Sequence, residues 1–303
     1  MSTVAVVAVT YSPGETLEPF LDSIETAADW LERGGRPLVV LADNGSTDGT
    51  VERAAATRSV TLLRTGGNLG FGGGANAGVR ELPDGVRWVL VCNPDLVFEP
   101  GSIDELLAAT ARWPRGAAFG PLLRTAEGLR YPSARELPSV GRGIGHAMFG
   151  WWWPTNPWTR AYRRDHETPA ERPAGWLSGA CLLLRRDAFV DAGGFDERFF
   201  MYFEDVDLGD RLARAGWQNV YVPSATVTHV GGHSTKANAS AMTKAHHASA
   251  YRYLASRHRG WWQAPLRLVL RAGLGMRELL AKRSAAVAAG AAVPEYPARH
   301  TPS

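Results

Sequence analysis

The sequence predicts an α/β fold: a mainly parallel central sheet flanked by helices, with a helical extension at the C-terminus. Three observations carry this. Over the first 120 residues, β-branched runs alternate with segments of helical period. Each run closes on Gly, Asn, Pro or Asp, and such alternation builds a parallel sheet covered on both faces. The chain has 303 residues, 45% hydrophobic and 21% charged, an ordinary balance for a globular protein with a sizeable core.

The elements follow in order. Val4–Thr10 is a strand ending in Ser-Pro-Gly, and Glu15–Leu31 has helical period. Pro37–Asp43 is a second strand closed by Asn-Gly, followed by a short helix over Thr50–Arg58. Val60–Arg64 is a third strand, then comes a Gly-rich loop and a helix over Gly74–Glu81. Trp88–Asn93 is a fourth strand ended by Asn-Pro, and Ser102–Trp113 is again helical. Residues 125–175 break the pattern with a long irregular excursion rich in Pro, Gly, Arg and Trp, including Trp151–Trp153 and Trp158. Regular structure returns at Gly179–Arg185, Ala188–Ala192, Val206–Ala215 and Gln218–Val222, with Ala239–Arg257 helical. The domain reading is therefore 1–257 for the α/β body, 258–284 for a basic amphipathic helix (Pro265–Lys282), and 285–303 for an Ala-rich tail expected to be disordered.

Charge is uneven. The net charge is +3, but from Arg252 onward nine Lys/Arg face two Asp/Glu, so the body is mildly acidic and the tail strongly basic. The basic residues alternate with apolar ones and follow Trp261 and Trp262, which suits an anionic lipid surface better than nucleic acid. No signal peptide and no run long enough for a spanning helix is evident. A cytoplasmic protein, peripheral on the inner face of the plasma membrane, is expected. Cys92 and Cys181 lie in apolar runs and read as reduced core residues.

Five clusters carry chemistry. Asp43-Asn44-Gly45-Ser46-Thr47-Asp48 sits at a strand end, where it is either a binding loop or a capped turn. Asn68-Leu69-Gly70-Phe71-Gly72-Gly73-Gly74 can bring backbone amides close to a nucleotide or phosphate. It also raises a dinucleotide-binding oxidoreductase, but that fingerprint belongs after the first strand, where Tyr11-Ser12-Pro13-Gly14 stands instead. Asn93-Pro94-Asp95 ends a buried apolar run, and a carboxylate there needs a cation or hydrogen bonds. Glu204-Asp205-Val206-Asp207 follows an aromatic stretch that raises carboxylate basicity, though an acidic first helical turn explains it equally. His229 ends another apolar run, and an imidazole with a carboxylate and phosphate oxygens suits Mn²⁺ or Mg²⁺.

In this order on one chain, these segments resemble family 2 glycosyltransferases over about residues 4–257. Within that family they are most similar to bacterial cell-wall rhamnosyltransferases, which move L-rhamnose from dTDP-L-rhamnose to a GlcNAc-diphospho-polyprenol. The resemblance implies a GT-A fold, an inverting reaction, a nucleotide-sugar donor, a polyprenyl-diphosphate-linked sugar acceptor and a divalent cation. It implies that Thr10, Tyr11 and Ser12 line the base and ribose pocket and that Asp43 bonds the base or ribose. Asn68, Gly70, Gly72 and Gly73 would wall the nucleotide. Asp95 matches the second carboxylate of the metal-binding Asp-x-Asp motif, with Asn93 in place of the first, and His229 matches the metal-binding histidine. Asp205 matches the catalytic base, with Glu204 supporting it. UDP-galactofuranose is the alternative donor, and a non-catalytic sugar-nucleotide binding protein is the alternative class.

Overall fold

A computed structural model describes residues 4–32, 35–138, 169–231 and 239–276. Among these, a ten-stranded sheet carries the chain, with the main order β3-β2-β1-β4-β11-β6-β12-β5. Strands β1 (Val4–Thr10), β2 (Leu38–Asp43), β3 (Thr61–Arg64) and β4 (Trp88–Cys92) are mutually parallel. The second half is mixed. β11 (Cys181–Arg185) runs antiparallel to both β4 and β6 (Gly116–Thr125). β12 (Gln218–His229) is parallel to β6 but antiparallel to β5 (Leu96–Phe98).

Period-two alternation along β1 sends Val4, Val6 and Ala8 to one face and Ala5, Val7 and Val9 to the other. Helices α1 (Leu17–Thr26), α2 (Thr50–Thr57) and α4 (Ser102–Arg112) close the first face through Phe20, Ile24, Val51 and Leu106. Helices α3 (Gly70–Arg80), α5 (Arg186–Asp191) and α6 (Glu204–Arg214) close the second through Val79, Phe189, Leu208 and Leu212. Cys92 and Cys181 are cross-strand neighbours inside this core, and burial pushes both thiols up.

Several boundaries differ from the sequence reading, each for a tertiary reason. α1 stops at Thr26, and Trp30 folds back to donate from Nε1 to the Ile24 carbonyl at 2.8 Å. α3 begins at Gly70 rather than Gly74 because close packing outweighs the poor helix propensity of glycine. β12 runs on to His229, past the Val222/Thr226 irregularity where Pro223 lies, so the proline marks a bulge and not an end. β5 and β6 had no strand signal strong enough to place them. The described flanks of the excursion form β7 (Arg130–Tyr131), β8 (Ala134–Arg135), β9 (Arg172–Ala174) and β10 (Trp176–Leu177). Trp151–Trp153, Trp158 and the tail after Met276 lie outside the described residues.

The chain divides into two units, 1–238 and 239–303. The second contains α7 (Ala239–Arg257), a short 3₁₀ turn at Trp261–Gln263 and a helical run over 264–276. No described helix is long and apolar enough to cross a membrane.

Candidate active site

β1 is flanked by β2 on one side and β4 on the other, so the chain leaves its two neighbours in opposite directions. Such a switch point opens a crevice at the carboxyl ends of the strands, where ligands bind in open α/β sheets. The residues singled out by sequence gather at this edge.

The loop after β1 is stapled to the loop after β2. The Ser12 N–H donates to Ser46 Oγ (2.7 Å), the Thr47 N–H to Ser12 Oγ (3.1 Å) and the Gly14 N–H to Asp48 Oδ2 (2.9 Å). Ser12 is held at φ 49°, in the left-handed region. Tyr11 is exposed at the rim. Thr10 and Asp43, expected to touch the donor, are instead fully buried. The Asp43 carboxylate has no exposure, and its oxygens are taken by Thr10 Oγ1, the Ser46 N–H and Arg64 Nη1. A buried carboxylate must be neutralised internally, so Asp43 shapes the loop from beneath and does not face the crevice.

The glycine-rich segment also has a different role from the one expected. Asn68 Oδ1 accepts from the Gly70 N–H at 3.0 Å and opens α3. Gly70 sits at φ +74°, and a Cβ there would lie 2.1 Å from the Phe200 carbonyl oxygen. A Cβ on Gly72 would meet Phe195 at 2.8 Å, on Gly73 Leu69 at 2.7 Å and on Gly74 Val9 at 2.7 Å. These glycines let α3 lie close on β1 and on the 195–200 segment, so Gly72 and Gly73 have a packing role.

That packing positions the acidic cluster. Tyr202 (φ 65°) and Phe203 (φ 68°) precede α6 in the left-handed region, a strained conformation costing about 1–3 kcal/mol each. The turn they make brings Glu204 and Asp205 into the first turn of α6. Asp205 Oδ2 accepts from the Gly179 N–H at 2.9 Å and Oδ1 from the Val206 N–H at 2.8 Å. Burial nevertheless holds the Asp205 carboxyl above its ordinary range, while those N–H groups and the charge of Arg135 pull it down. Glu204 is buried, and its Oε2 has no hydrogen-bond partner. Burial first, and the neighbouring Asp205 charge second, push it up to about 8. Asp207 is committed elsewhere, to Arg211 at 2.6 Å.

The third group joins across the sheet. The β5–β12 register sets Leu96 opposite His229, and the Val230 N–H donates to the Asp95 carbonyl at 3.0 Å. This places His229 Nε2 3.1 Å from Asp95 Oδ1. Asp95 Oδ1 is buried, and this contact has ion-pair distance without hydrogen-bond geometry. An imidazole and a carboxylate this close also fit a shared cation, with oxygen donors from a phosphate completing the shell. Among the described residues no cluster of three metal-ligating side chains occurs. The backbone N–H of Asn93 donates to the Ala180 carbonyl at 3.0 Å and ties this loop to β11.

Gly179, Arg64 and Tyr131, which packs edge-on to His229 at 6.2 Å, escaped the sequence reading. Each acts across the fold, and no local spacing marks it. A cavity of about 770 Å³ lies away from these groups, on the outer side of α3 and α5. Its Arg186 is spent on the Leu82 and Pro83 carbonyls.

Comparisons with known proteins bear on the family and the fold. The model of the family described as "Glycosyltransferase like family 2" matches residues 2–248. The N-acetylglucosaminyl-diphospho-decaprenol L-rhamnosyltransferase of Mycobacterium tuberculosis is 54% identical over 290 residues, spanning 92% of each chain. Rhamnosyltransferase WbbL of Escherichia coli is 30% identical over 204 residues, 63% of this chain and 72% of that one. In fold, the chain is similar to the mannosyltransferase PcManGT of Pyrobaculum calidifontis, solved with GDP-Man and Mn²⁺ (TM-score 0.56, 19% identity, 97% of this chain and 76% of that one). It is also similar to GalNAc-T7, solved with UDP, GalNAc and Mn²⁺ (TM-score 0.56, 14% identity, 76% of this chain and 44% of that one).

Proposed function

The chain belongs to glycosyltransferase family 2, and from that premise we propose that it transfers L-rhamnose from dTDP-L-rhamnose to a GlcNAc-diphospho-polyprenol, with inversion. The observation that supports the mechanism is the approach of His229 to Asp95, within 3.1 Å. Asp205, at the start of α6, accepts from the Gly179 N–H, and the neighbouring Ala180 carbonyl accepts from the Asn93 N–H of the Asp95 loop.

Asp205 accepts the proton of the acceptor hydroxyl. That oxygen forms a bond to the anomeric carbon as the bond from this carbon to the donor diphosphate breaks, and the nucleoside diphosphate leaves. Attack opposite to the leaving group inverts the centre. A divalent cation, Mn²⁺ or Mg²⁺, would be held by Asp95 and His229 and would neutralise the charge that develops on the diphosphate. The raised Asp205 carboxyl is a better base than an exposed aspartate, and its two backbone N–H bonds aim it. Glu204, kept neutral by burial at moderate pH, avoids a second negative charge beside the base.

The acceptor's lipid also rationalises the second unit. Trp261 and Trp262 are 87% and 67% exposed, and Leu268, Val269 and Met276 are exposed on the helix that follows. Aromatic and apolar side chains beside Arg259 and Arg271 suit the boundary of an anionic leaflet. Arg267 of this helix folds back. Its guanidinium donates to the carbonyls of His258 and Gly260 and caps the preceding turn.

The test is a transfer assay offering dTDP-L-rhamnose and UDP-galactofuranose with the lipid-linked acceptor, with the anomeric configuration of the product read by NMR. Rhamnosylated product of inverted configuration is expected. Turnover with the galactofuranosyl donor alone would remove the rhamnosyl assignment, and binding without turnover of any donor would favour a non-catalytic protein.

A further inference from the structure

Strands β6 and β7 run antiparallel, and their register sets Arg124 directly opposite Arg130. A third arginine joins the pair. Arg172 of β9 is the register partner of Tyr221 on β12, and the Arg172 and Arg130 guanidiniums stand 5.6 and 6.0 Å from the Tyr221 ring centre. Among the described residues, Arg172 donates to the carbonyls of Pro173 and Ala134, and neither it nor Arg124 has an ion pair with a carboxylate.

The location matters as much as the charge. Tyr221 packs in the same core cluster as Leu208 and Leu212 of α6, the helix whose first turn carries Asp205. Arg135 of β8, from the same group of short strands, acts electrostatically on Asp205. The acceptor hydroxyl must reach Asp205, at the start of the helix that packs on this face of the sheet.

We propose that Arg124, Arg130 and Arg172 bind the diphosphate of the lipid-linked acceptor and so set its affinity. This rests on the acceptor class named above. Guanidinium groups present paired donors that match phosphate oxygens, and several together suit a diphosphate.

The experiment measures steady-state kinetics of the full chain with two acceptors, a GlcNAc-diphospho-polyprenol and a neutral GlcNAc alkyl glycoside. The variants are Arg124→Gln and Arg130→Gln, with the exposed Arg36→Gln as control. The acceptor KM for the diphosphate substrate should rise about tenfold or more, with donor KM and the KM for the neutral glycoside unchanged. An unchanged KM, or equal loss with both acceptors, overturns the proposal. If Arg130→Gln fails to fold, the exposed Arg124 carries the test. Loss of binding to anionic phospholipid vesicles without a change in acceptor KM would assign the patch to the membrane instead and also overturn it. A wild-type enzyme that uses neither acceptor sinks the preceding reading alone. Inorganic pyrophosphate titrated against wild type and Arg124→Gln then decides the patch, and equal binding by both counts against it.

Discussion

His229 Nε2 stands 3.1 Å from Asp95 Oδ1, yet the buried carboxylate oxygen accepts no hydrogen bond. The pair is brought together by strand register, since Leu96, one residue past Asp95, lies opposite His229. Two residues 134 positions apart in the chain are thereby brought side by side.

Because both would act through one cation, Asp95→Ala and His229→Ala should each weaken divalent-ion and donor binding, and the double variant should be little worse than either single one. Isothermal titration with Mn²⁺ and nucleoside diphosphate measures this. Additive losses would separate the two roles, and full activity in excess chelator would remove the ion from the mechanism.

Asp205→Asn keeps the shape of the side chain and can still be held at Oδ1 by Val206, but it cannot take a proton. Transfer should slow by about 10²–10⁴-fold with donor binding retained. Near-normal turnover would dismiss Asp205 as the base. It would point to Glu204, since Asp207 is tied to Arg211.

Glu204 makes stability depend on pH in a definite direction. Its carboxyl is held up at about 8 in the folded chain against an ordinary value of 4.5. The folded state therefore binds this proton more tightly than the unfolded state. Stability from this group is fully present below about pH 4.5 and is lost as pH rises through about 8. Glu204→Gln should raise the melting temperature at pH 9 by about 2 °C or more and change it little near pH 4. Identical pH–stability curves for the two proteins would show that Glu204 is charged and compensated in the native state.

Gly70→Ala combines a positive φ with a Cβ placed 2.1 Å from the Phe200 carbonyl oxygen. A loss of at least about 1 kcal/mol is expected, read from urea unfolding. Activity should fall further than stability alone explains, because Phe200 belongs to the segment that leads into Glu204 and Asp205. Gly14→Ala, also at positive φ but with open space around it, is the comparison that isolates the contact.

Trp261→Ser combined with Trp262→Ser should reduce co-sedimentation with anionic vesicles, and high salt should reduce what remains. Equal sedimentation of wild type and variant at low and high salt would show that these tryptophans are not the anchor.

The linear order of residues determined the α/β class, because strand and helix periods are local and repeat through the first 120 residues. It also marked Asp95, Asp205 and His229 as candidates for the chemistry, since each ends an apolar run or opens a helix. What lies around them was not legible. Asp43 was expected to face the donor, and burial with Arg64, Thr10 and Ser46 makes it a support instead. That Gly72 and Gly73 are also packing positions is evident only from the approach of Phe195 and Leu69. β12 seemed to stop at Val222, yet its pairing with β5 and β6 beyond the bulge is what delivers His229 to Asp95. Period and punctuation act over a few residues, whereas burial, register and close approach belong to pairs far apart in sequence, so only the folded chain decides them.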